Sequence, residues 1–120
     1  MPEASPRLLR ASELLLDCVA RGISPSTLVV AAFDAIYLCC IESTSECLGR
    51  EEDVLHPDPE VLLSAKERLG MSSKEVTLAL QLMQLSFYAL SHELPCLPAD
   101  AVALARKVVA RTHFYGARRG

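Results

Sequence analysis

Three times in this chain a capping-type residue stands directly before proline, at Ser5-Pro6, Ser24-Pro25 and Asp58-Pro59. A side chain that accepts from a free backbone amide, followed by a residue with no amide and with φ already near its helical value, suits a helix N-terminus. Repetition of that signal confines the chain to helices. After the first pair, Leu8, Leu9, Ser12, Leu15, Leu16 and Val19 recur at three and four until Gly22. After the second come Leu28, Val29, Ala32, Phe33, Ile36, Tyr37, Cys40 and Ile41, apolar on most sides, which predicts a central helix running to about Cys47 before Gly49. The third opens a short, peripheral helix with a narrow stripe of Val61, Leu62, Ala65 and Leu69 that stops at Gly70.

A fourth start is written differently. In Met71-Ser72-Ser73-Lys74-Glu75-Val76, Ser72 and Glu75 can each satisfy the other's orphan amide while Met71 staples onto Val76. The helix beyond it is predicted to reach about Leu94 through Val76, Leu80, Met83, Phe87 and Leu90, and to pack on helix two as the second central element. Pro95 and Pro98 then break the chain, Asp100 suits a first turn, and Val102, Ala105, Val109 and Thr112 carry helix five to Gly116. No segment alternates with period two. The expectation is an all-α, single-domain antiparallel helical bundle of about five helices over residues 1–120, with one long acidic loop at 49–57.

Composition agrees. Hydrophobic residues make up 51% with no Trp and only three each of Phe and Tyr, so the core must be aliphatic. Helices two and four carry more apolar surface than thin neighbours can cover in one chain, which predicts a homodimer. The net charge of −3 argues against a whole-molecule basic field. Locally the charge is uneven: Glu42, Glu46, Glu51, Glu52, Asp53, Asp58 and Glu60 form an acidic middle, and Arg106, Lys107, Arg111, Arg118 and Arg119 a basic tail.

Five cysteines, Cys18, Cys39, Cys40, Cys47 and Cys96, form no CxxC, and four of them fall in apolar helical patterns, as buried thiols in a reducing compartment would. The segment MPEASPRLL lacks the order of a signal peptide, and the longest apolar run, interrupted by Asp34, is too short to cross a bilayer. A cytoplasmic protein away from membranes is expected. No cofactor is expected either, because the chain has no Gly-rich phosphate loop, paired zinc motif, nucleophile elbow or dinucleotide fingerprint.

The residues with chemistry cluster near the end. Arg106 and His113 are seven apart, about 20° short of two helical turns, so they share a face, and Val102 and Val109 place that face at the edge of the core. A histidine can move a proton and an arginine can hold a phosphate, which phosphodiester cleavage by a 2′-hydroxyl requires. The bland alternative is a boundary arginine and a histidine capping a helix C-terminus. Lys107, Arg111 and Tyr115 would add nucleic-acid contact, with Phe114 beside them to stack.

In "RKVVARTH", with six residues between Arg106 and His113, and in its long apolar helices, the chain resembles the HEPN superfamily of small helical bundles. Members of that family often carry an arginine, four to six residues and then a histidine, a pattern that "REEDVLH", Arg50 to His56, also meets with five between. The resemblance implies a metal-independent ribonuclease in which Arg106 and His113 of two subunits converge at a dimer interface, or a toxin or nucleotidyltransferase-associated module. Active members typically carry Asn, Asp or His after the arginine, where this chain has Lys107.

Asp34 is a carboxylate in an apolar run and needs a backbone amide, Tyr88 or an arginine such as Arg106, unless it serves a pocket. Tyr88 and His92, one turn apart on helix four, are the other candidate pocket residues. His92 with Cys96 offers two metal ligands and no third, so no metal site is expected. A different class of function remains open: a non-catalytic helical module that holds a protein partner in an apolar groove.

Overall fold

The computed structural model describes residues 6–18, 24–43, 59–87 and 98–119, side chains at 26, 85–87 and 115–119 excepted. They form five helices and, among the described residues, no strand: α1 (Pro6–Cys18), α2 (Pro25–Ser43), α3 (Pro59–Arg68), α4 (Ser73–Phe87) and α5 (Pro98–Arg119). The all-α bundle expected from the sequence is what forms. Four of the five helices begin on a proline, α5 at Pro98 rather than at Asp100, which sits in its first turn. At Ser24 the cap is explicit, since its Oγ accepts from the Thr27 amide at 3.3 Å and its carbonyl from the Leu28 amide at 3.0 Å.

The centre is α2. Phe33, Ala35, Ile36, Tyr37, Cys39 and Cys40 have no solvent contact at all. Its antiparallel partner is α1, fixed at one end by the Arg7–Glu42 ion pair at 3.1 Å and at the other by the Cys18 thiol on the Leu28 carbonyl at 3.6 Å. Its second broad neighbour is α5, where Thr112 lies beside Cys39 while Arg106 lies near Cys18. Those two points make α5 run in the same direction as α2.

Helix four was expected in that place, and among the described residues it is a lesser neighbour of α2. The reason is width. On α5 the positions Ala101, Val102, Leu104, Ala105, Val108, Val109 and Thr112 are all buried, with alanines that let the backbones approach. On α4 the buried stripe is Val76, Ala79, Leu82 and Met83, flanked by exposed Thr77, Gln81 and Gln84. Helix five also continues to Arg119, three residues past the expected stop: Gly116 stays helical, at the roughly 1 kcal/mol cost of an interior glycine, and no proline comes after it to end the turn. The expected continuations of helix one to Gly22, of helix two to Cys47 and of helix four to Leu94, and the acidic 49–57 loop, lie outside the described residues.

The corner between α3 and α4 is built by seven consecutive residues, Gly70 to Val76. Gly70 takes φ +59°, so its amide reaches the Glu67 carbonyl at 3.2 Å and the Met71 amide reaches Lys66 at 2.9 Å, the paired bonds that close a helix through a left-handed glycine. One residue later the next helix starts. The Ser72 amide donates to Glu75 Oε1 at 2.9 Å and the Glu75 amide to Ser72 Oγ at 3.1 Å, the reciprocal cap read from the sequence. Met71 and Val76, its two staple residues, are both buried. A Cβ at Gly70 would meet nothing within 4 Å, so Gly70→Ala costs only the backbone conformation, about 1 kcal/mol. In thermal melts by circular dichroism the variant is expected to unfold about 4 °C lower; an unchanged midpoint would show that the left-handed turn is not needed.

Candidate functional site

Around α5 the buried positions define an inner face, and the two sets of candidate residues fall on opposite flanks of the outer one. Arg106 and His113 are both exposed. The expectation that they border the core on a shared stripe with Val102 and Val109 needs correction. The two valines turn inward, and about 20° to 60° of helix rotation carries the polar pair out to solvent. Among the described residues neither Arg106 nor His113 makes a hydrogen bond or an ion pair. The guanidinium charge of Arg106 does reach Cys18, at the C-terminal turn of α1. His113 is not a helix cap, because α5 runs six residues beyond it.

Lys107 and Arg111 face the other way, toward α4. Arg111 Nη1 donates to Glu75 Oε1 at 2.9 Å, and the charge of Lys107 reaches the same carboxylate. Burial opposes ionisation of Glu75, yet the Arg111 and Ser72 hydrogen bonds together with the two cationic charges hold its carboxyl below the ordinary value. One acid therefore caps α4, ties it to α5 and screens two of the cations assigned to nucleic acid. The sequence shows the cap but not the tie, because Glu75 and Arg111 lie far apart along the chain. Phe114 is 63% exposed on the outer face between the two flanks. Tyr115 lies on α5, and its side chain is outside the described residues, as are Tyr88, His92, Arg50, His56, Cys47 and Cys96.

Asp34 is half-buried on α2. Desolvation pushes its carboxyl up to about 6, against the pull of the Arg10 charge from α1. Arg10, rather than Arg106, is thus the arginine that approaches it. Among the described residues no donor makes a hydrogen bond to the Asp34 carboxylate. The thiols are inert by the same physics. Cys18, Cys39 and Cys40 are free and buried, and desolvation raises all three above the ordinary thiol value, Cys39 in spite of its bond with Thr112.

Among the described residues no group of three His, Cys, Asp or Glu is placed to hold a metal, and no helix is long and apolar enough to cross a membrane. No family model, no curated protein and no solved structure matches the chain.

Proposed function

We propose that the protein is a small cytoplasmic HEPN-like homodimer that binds and cleaves RNA without a metal, in a toxin–antitoxin setting, through Arg106 and His113. The observation that carries the reading is the availability of the pair: both side chains are exposed on one face of α5 and, among the described residues, neither is engaged by hydrogen bond or ion pair. Lys107 and Arg111, by contrast, are drawn to Glu75. In the proposed reaction His113 takes the proton of a ribose 2′-hydroxyl, the resulting oxygen attacks phosphorus, and as the new bond forms the bond to the 5′-oxygen breaks; that oxygen leaves with a proton from water, and His113 returns its own to solvent. Arg106 stabilises the charge that builds on the phosphoryl oxygens.

One copy offers an open helix face, where water screens such a site. Two copies of α5 facing each other across a basic cleft would supply the missing walls. A two-fold axis between Val109 and Ala110 would set Arg106 of each copy opposite the partner's His113. A second reading, a non-catalytic module that holds a partner chain, is favoured by Leu9, Leu16 and Leu63, each more than half exposed.

Cleavage of an end-labelled mixed RNA pool in the presence of a chelator separates the two. Wild type is expected to cut, and Arg106→Ala and His113→Ala, of unchanged fold and mass, to lose the activity. If wild type leaves RNA intact, or the variants cut as well as it does, the ribonuclease reading is wrong.

A further inference from the structure

Leu9 and Leu16 stay in water on α1, 54% and 70% exposed, and seven residues apart they form one line along the helix. Two leucines alone do not say what covers them. The charges beside them do. Arg10, Glu13 and Asp17 are all exposed and line the same flank of that row, one cation ahead of two acids. A contact about a two-fold axis requires a surface complementary to itself, and this one is. When a second α1 is laid end for end about an axis between Ser12 and Glu13, Leu9 meets the partner's Leu16. Arg10 then falls at a height between the partner's Glu13 and the partner's Asp17, and symmetry repeats both contacts. Pairing about a two-fold along the helices, in the same direction, would set each charged flank against the partner's opposite flank, that of Ser12, and leave the charges unmatched.

We propose that the outer face of α1 docks a second copy of this chain, antiparallel, in that register. The ion pair on this face is compatible with docking: Arg10 bonds Glu13 of its own helix at 3.1 Å, and with both ends more than half exposed that bond is weak and free to be shared. Each α5 lies next to its own α1 on the side away from the seam, so the two copies of α5 flank the α1 pair, and this contact stands in place of a direct one between two copies of α5. The inference is independent of any reaction on RNA.

Sedimentation equilibrium of the full chain up to about 200 micromolar tests it. Wild type is expected to dimerise, and Leu16→Glu to weaken the dimer about 100-fold by burying a charge at the seam. Arg10→Glu is expected to weaken it about tenfold by opposing the partner's acids, and the reversal Arg10→Glu/Glu13→Arg/Asp17→Arg to restore it. All four positions are exposed, so circular dichroism should be unchanged. A wild type that stays monomeric overturns the proposal and leaves the leucines to a different protein. A dimer indifferent to Leu16→Glu places the contact elsewhere, and a reversal no better than Arg10→Glu overturns the register. A dimer of this kind that cuts no RNA removes the ribonuclease reading alone.

Discussion

Phe33→Ala is expected to lower the free energy of unfolding by about 3–5 kcal/mol, read as a fall in the urea midpoint with an unchanged slope. The ring has no solvent contact and stacks on Tyr37, with centroids 5.7 Å apart and planes at 30°. The wall around it cannot close over the vacancy. Val29 and Ile36, one turn to either side of Phe33, are both buried and sit on the same rigid helix. Total stability for a domain is about 5–15 kcal/mol, so the variant would stand near the edge of folding. A loss below about 1 kcal/mol would mean that the site collapses freely, contrary to this packing.

The second large effect has the opposite sign. Asp34→Asn is expected to stabilise the protein by about 1–2 kcal/mol at neutral pH and to change little near pH 4. Desolvation lifts the Asp34 carboxyl from its ordinary 3.8 to about 6, so the folded chain holds that proton more tightly than the unfolded chain does. Such a group favours the fold below its unfolded value, and the benefit is lost as pH rises through the folded one. The full shift corresponds to about 3 kcal/mol, and partial exposure screens it to the smaller figure. For a chain of this length that is a rise of about 4–8 °C in melting temperature. Paired melts at pH 4 and pH 7.5 decide it: an equal offset at both, or no gain at neutral pH, would mean that the carboxylate is held by bonds rather than penalised by burial.

Local punctuation is the part of this fold that is legible in the sequence. Proline after a capping residue marks α1, α2 and α3 to the residue, and the Ser72–Glu75 cap marks α4, because these signals act within one helical turn and need no neighbour. Gly70 stops a helix and Gly116 does not. The difference lies in the residue after each glycine. Met71 is apolar, donates to the outgoing helix and then begins a new cap, while nothing after Gly116 takes up that role. Which helix lies against α2 is not legible, since inner-face width depends on where a stripe points. The face of Arg106 and His113 is hidden for the same reason, as spacing groups two residues without saying which way the group looks. Pairings such as Glu75 with Arg111 and Arg7 with Glu42 join distant parts of the chain and leave no local trace.

Met71 stands in two motifs at once, last of the α3 closure and first of the α4 staple. Most loops accept a longer chain at small entropic cost. This one has no slack. A single residue inserted between Leu69 and Ser72 would force a choice: if Met71 keeps its bond to Lys66, the cap of α4 moves out of register with Val76, and if it keeps the staple, the carbonyls at the end of α3 lose their donors. For circular permutation or tag placement the corner is therefore the wrong place to open the chain, although it is a turn at the surface end of two helices.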